Sequence, residues 1–163
     1  MRILGIDPGL KATGYGFIDF DGQKIHSIKL IETGAIEPKQ NDLIQNRIAK
    51  IYQYLDELLV EHKPDVLVLE KLYAHYNHPV TACKLGHVRG VICLLCAQRK
   101  IKLIEHSVKR IRLALVGNGN ASKLQTQQVV AQTLKINQNQ LTIDASDALA
   151  LALGYVYIHS RSL

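Results

Sequence analysis

Residues 2–7 (RILGID) and 66–70 (VLVLE) decide how this chain folds, because each is an apolar run that closes on an acid. Leucine, isoleucine and valine without polar alternation are the composition of strands covered on both faces. In open α/β sheets ligands bind beyond the carboxyl ends of the strands, so two such parallel strands direct Asp7 and Glu70 into one crevice. A carboxylate at the end of a fully apolar strand is costly unless it is paired or bound to a metal. Asp144 and Asp147, three residues apart at the opening of DASDALALAL, fall on one face of a helix.

Four carboxylates so placed suit a pair of Mg²⁺ ions. Mg²⁺ is a hard cation that takes oxygen ligands and keeps much of its water, so one or two carboxylates and substrate phosphate oxygens complete each shell. Two-metal sites space their ions about 3.5–4 Å apart, one activating the attacking water and one stabilising the leaving oxygen. The expected chemistry is phosphodiester hydrolysis. The ordinary role of an Asp at a helix start, capping its N–H groups, is the competing reading for Asp144 taken alone.

The charge distribution points to the same substrate class. Residues 1–70 carry eight Lys/Arg against eleven Asp/Glu, whereas residues 71–163 carry twelve against three, and two of those three acids are Asp144 and Asp147. A basic half surrounding a carboxylate site is the electrostatic footprint of nucleic-acid binding. The 163 residues, 47% of them hydrophobic, suit one domain spanning 1–163. No run reads as a bilayer span and the N-terminus opens directly into a strand, so a cytoplasmic protein with no membrane partner is expected, its three cysteines reduced. Cys93 and Cys96 lie in GVICLLCA and read as thiols buried in a helix, not as half of a zinc site. His75, His78, Cys83 and His87 form a looser cluster whose spacing matches no standard metal-ligand pattern.

The order of elements is that of an α/β fold. Pro8-Gly9 turns the chain into a second strand, TGYGFIDF, and Asp21-Gly22 leads into a third over 24–37. Apolar residues at Leu43, Ile44, Ile48, Ile51, Leu55, Leu58 and Leu59 trace a helix over 43–62, ended by Pro64 before the Glu70 strand. A second long helix is predicted over 79–100 and a fifth strand over 101–105, with helices after it, giving a mixed sheet flanked by helices. The second half of the 79–100 helix is apolar on every face and carries Gly86 and Gly90 four residues apart. Burial under the C-terminal helices or against a partner subunit would each explain it.

GIDPG with TGYG, the strand-terminal LEK with Tyr73 beyond it, KLGHVRGV, VGNGNASK and DASDALALAL together resemble, in order and along nearly the whole chain, the RuvC family of Holliday-junction resolvases. The resemblance implies an RNase H-like fold with a five-stranded mixed sheet, a homodimer, and Mg²⁺-dependent paired nicks in strands of like polarity of a four-way DNA junction. It also implies cooperation with the RuvA and RuvB branch-migration complex in recombination and repair. By position the family's catalytic, metal-binding acids fall on Asp7, Glu70, Asp144 and Asp147, the residues already reached from chemistry. The aromatic that stacks on a junction base falls on Tyr73, commonly Phe in the family, and stacking needs only a π-face.

The basic residues divide by position. Arg112 stands where some relatives have Lys, and its planar fork is not equivalent to an ammonium, whereas Lys123 keeps its lysine. Ser122 and Gln125 read as a capping box that puts Lys123 in the first turn of a helix, where free N–H groups favour phosphate, with Gly117 and Gly119 as a backbone clamp. Lys109, Arg110 and Arg112 form a dense patch expected to touch the DNA backbone, with Lys109 and Arg112 the main contacts. Three rivals share part of this pattern. GIDPG also resembles the phosphate loop of sugar kinases and actin-like ATPases, which need a second matching domain; YqgF-type nucleases share the acids; and an inactive junction-binding module would lack one of them.

Overall fold

The computed structural model describes residues 1–23, 25–71 and 79–160. Three antiparallel strands, β1 (Arg2–Asp7), β2 (Thr13–Asp19) and β3 (Lys29–Ile36), are followed by α1 (Ile44–His62) and β4 (Val66–Glu70). Then come α2 (Pro79–Arg99), β5 (Lys102–His106), α3 (Val108–Val116), α4 (Lys123–Leu134) and α5 (Ile143–Ser160). The strands make one sheet in the order β3-β2-β1-β4-β5, with β1, β4 and β5 mutually parallel. This is the mixed five-stranded sheet that the sequence predicts.

Both faces of the sheet are covered, which explains why its central strands do not alternate. Leu4, Ile6, Leu67 and Leu69 pack on one face against Ile51 and Leu55 of α1 and Val88, Ile92 and Leu95 of α2. Ile3, Val66 and Val68 point to the other face, toward Leu149, Leu153 and Val156 of α5 and the α3 and α4 side chains outside it.

Three details depart from expectation. The 24–37 stretch is not one strand: Ile25–Ser27 form a 3₁₀ turn and β3 begins at Lys29. Cys96 is buried but Cys93 is exposed, since only one side of α2 faces the core. Moreover, Val80–Arg99 is long and apolar enough by length and composition to cross a membrane, contrary to the expectation that no such run exists. It nonetheless packs Val88, Ile92, Leu95 and Cys96 onto α1 and the sheet, and it carries Lys84, Arg89 and Arg99.

Candidate nuclease site

The site begins where β1 and β4 end. These strands run parallel in a register that sets Ile6 beside Leu69, so Asp7 and Glu70 emerge together at the carboxyl edge of the sheet. Helix α5 then brings its first turn to the same edge by an unusually close approach. A Cβ built on Gly5 would lie 2.0 Å from the Ala148 carbonyl oxygen, and one on Gly14 would lie 2.0 Å from that of Asp144. No side chain fits in that space. The Gly14 of TGYG therefore lets α5 rest on the strand backbone, which carries Asp144 and Asp147 to Asp7.

The electrostatics of the site follow from this placement. Burial, followed by the charges of Asp147 and Glu70, pushes the Asp7 carboxyl up to about 7; Asp144 acts in the same direction and Lys123 opposes. The Glu70 carboxyl is also raised, by burial and then by Asp147, while Lys123, Arg112 and Arg89 hold it back. Asp7, Glu70 and Asp147 line a cavity of about 250 Å³ together with Arg112 and Lys123. Asp144 lies on the far side of Asp7, lining a neighbouring cavity.

Lys123 is the cation nearest this charge. The capping box is present, with the Gln125 N–H bonded to Ser122 Oγ at 3.2 Å and the Ser122 N–H bonded to Gln125 Oε1 at 2.8 Å. It sets Lys123 as the first residue of α4, from where Nζ donates to Asp147. Burial works against the Lys123 charge, but the bond to Asp147 and the negative charges of Asp147, Asp7 and Asp144 outweigh it and raise its pKa. Lys123 thus faces the acids, not only the open N–H groups of α4. Arg112 shares the cavity, whereas the Lys109 stem lies against Gly119, outside it.

Arg89 has no role in the sequence reading. Its guanidinium donates to the Glu70 carbonyl and to the Glu105 carboxylate, so α2 is tied to the ends of β4 and β5 beside the site. The available signal is a single arginine among the apolar residues of α2 that face the sheet. Tyr73, His75 and His78 lie outside the described residues, while Cys83 and His87 stand one turn apart on the exposed side of α2. Among the described residues no three His, Cys, Asp or Glu side chains are grouped closely enough to hold an ion as they stand.

The sequence profile described as crossover junction endodeoxyribonuclease RuvC matches residues 3–155. A protein of that name from Rhodopirellula baltica is 37% identical over 99% of this chain and 89% of its own length. Another, from Halorhodospira halophila, is 39% identical over 99% and 93%. Among solved structures, Thermus thermophilus RuvC superposes with a TM-score of 0.87 at 22% identity, covering 99% of this chain and 97% of that one. The same protein in complex with Holliday junction substrate gives 0.89 at 21%, covering 99% and 96%. The yeast mitochondrial resolvase Ydc2 is more distant, at 0.69 and 16%.

Proposed function

The chain belongs to the RuvC family of crossover junction endodeoxyribonucleases, hydrolases that resolve Holliday junctions, and from that premise we propose that Asp7, Glu70, Asp144 and Asp147 are its catalytic, metal-binding residues. One observation carries the assignment: Asp7, Glu70 and Asp147 line one cavity and Asp144 lines its neighbour beside Asp7, a placement made by the ends of β1 and β4 and the first turn of α5. Lys123 and Arg112 offset only part of that charge, and an all-oxygen donor set fits a hard divalent cation. When bound, two Mg²⁺ ions supply Lewis acidity at the scissile phosphate and an acidified water as nucleophile.

The chain's own residues do the rest. Lys123 offsets part of the carboxylate charge through Asp147 and lines the cavity where a phosphate oxygen would be received. Arg112, across the same cavity, holds the phosphodiester in place, and Lys109 meets the backbone further out. Tyr73, beyond the end of β4, stacks on a junction base. Cleavage on this reading leaves 5′-phosphate ends.

Two such sites are needed to nick opposed strands of like polarity. The exposed side of α2, formed by Gly86, Gly90, Cys93, Leu94 and Ala97, is covered by neither α5 nor any other described element, and it supports a two-fold homodimer through α2. RuvA and RuvB are the partners, and the cytoplasm the compartment, that go with this role. Incubating protein with a labelled four-way junction and a matched duplex, in Mg²⁺ and in EDTA, tests the reading. Paired symmetric nicks in the junction alone, lost in EDTA and in Asp7→Asn, are expected. Equal cutting of both substrates, or junction binding without cutting, would overturn it in favour of an unselective nuclease or an inactive module.

A further inference from the structure

A second cavity, of about 650 Å³, opens from Asp7 toward α1 and α2, whereas the acid cavity opens toward α3, α4 and α5. Asp7 lines both. The second cavity is walled by the turn 8–12, by Arg47 of α1 and by Lys84 of α2, and its cations are Lys11, Arg47 and Lys84. Lys11 and Lys84 are exposed and make no ion pair among the described residues.

The turn is held in a fixed shape. A Cβ on Gly9 would lie 2.3 Å from the Ala12 carbonyl oxygen, so only glycine fits there. Thr13 Oγ1 donates to the Gly9 carbonyl at 2.7 Å, and Arg47 Nη2 donates to the Leu10 carbonyl at 2.6 Å. The Arg47 Nε–H is buried and has no acceptor among the described residues.

A strand whose scissile phosphate sits at Asp7 must continue on both sides of it. Arg112 and Lys123 receive it on one side. We propose that Lys11, Arg47 and Lys84 bind the phosphodiester backbone of the same strand on the other side, in the groove between the 8–12 turn and α2. Lys11 and Lys84 contact phosphates directly, and Arg47 fixes the turn between them and adds its charge to the groove. The proposal rests on the reading of the Asp7 site as a junction nuclease.

The test compares Lys11→Ala/Lys84→Ala with Lys29→Ala/Lys102→Ala. The second pair removes the same charge at the opposite end of the sheet, where Lys29 follows Asp19 and Arg2 in register and Lys102 follows Val66. Affinity for a four-way junction is measured from 50 to 200 mM salt, with Ca²⁺ replacing Mg²⁺ to keep strands intact. Losing two phosphate contacts should make the slope of log affinity against log salt shallower by about two and weaken binding about tenfold at 0.1 M, with the control pair unchanged. A slope and affinity equal to those of the wild type, or an equal fall in both pairs, would overturn this inference alone. A wild type that neither binds nor nicks the junction in Mg²⁺ would remove the nuclease reading with it.

Discussion

Helices α5 and α2 are both apolar, yet they are buried in opposite ways. Residues 145–156 of α5, apart from Asp147 at the cavity, are buried, lying on β1 and β2 at backbone contact and covered outside by α3 and α4. Helix α2 is buried only along Val88, Ile92, Leu95 and Cys96; Leu94, 51% exposed, faces outward with Gly86 and Gly90. A helix enclosed by its own chain can position a site, and α5 does so by delivering two acids to Asp7. A helix left open on one side is available to another molecule. Apolar composition alone does not distinguish them, which is why the sequence leaves α2 open between cover by the C-terminal helices and cover by a partner subunit.

The largest expected effect comes from forcing α5 away. Gly5→Val places a side chain where the Ala148 carbonyl lies 2.0 Å from a Cβ, and backbone cannot yield there cheaply. A loss of at least about 3 kcal/mol is expected, with nuclease activity lost alongside it. Denaturant unfolding checks the stability, and an intact midpoint would mean that α5 does not rest on β1 as described.

Asp7→Asn probes the charge that α5's docking creates. Activity should fall about 10³-fold, equivalent to roughly 4 kcal/mol of transition-state stabilisation. Stability should move the other way in the absence of divalent metal. A carboxyl raised from 3.8 to about 7 means that the native state holds a proton the unfolded chain has released, so native stability declines as pH rises from about 4 through 7. Asn removes that decline, giving a gain of about 1–3 kcal/mol above pH 7 after discounting for solvent screening, and none near pH 4. Thermal melts at pH 4.5 and 8 check the sign. For the same reason the apparent Mg²⁺ affinity of the wild type should weaken below pH 7, since Asp7 must release its proton to act as a ligand.

Much of this arrangement is readable from residues alone. Unalternating β1 and β4 announce a sheet covered on both sides, and their terminal acids announce its functional edge. The capping box at Ser122 fixes the start of α4 and hence the origin of Lys123. What the residues do not disclose is where long side chains turn: Lys123 turns to Asp147, Lys109 packs on Gly119, and Arg89 ties Glu70 to Glu105. Such choices depend on tertiary neighbours remote in sequence. The role of Gly14 was likewise hidden, because a glycine in a strand does not reveal which backbone approaches it.

Arg89 is where the two helices' contributions meet, since α2 uses it to hold the strand end that faces α5. Arg89→Met keeps the stem but leaves the Glu70 carbonyl and the Glu105 carboxylate without their donor. A cost of about 1–3 kcal/mol is expected, moderated because Glu105 is 42% exposed. The loss of a positive charge beside Glu70 should also shift the Mg²⁺ requirement downward, because a cation there repels a divalent ion more than it favours release of the Glu70 proton. Unchanged Mg²⁺ dependence with lowered stability would reduce Arg89 to a packing residue.

The smallest effect on the folded chain should come from the open side of α2, and there the contrast with Gly5 is sharpest. A Cβ on Gly86 or Gly90 meets nothing within 4 Å, so Gly86→Ala/Gly90→Ala should stabilise the protomer by up to about 1 kcal/mol per site through helix propensity. Any loss must then arise between protomers, where two helices meeting across small residues cannot absorb added methyl groups. Sedimentation analysis should show weaker dimerisation, while junction cutting shifts from paired to single nicks. If the double variant dimerises like the wild type, the dimer forms elsewhere and the open face of α2 is not its interface.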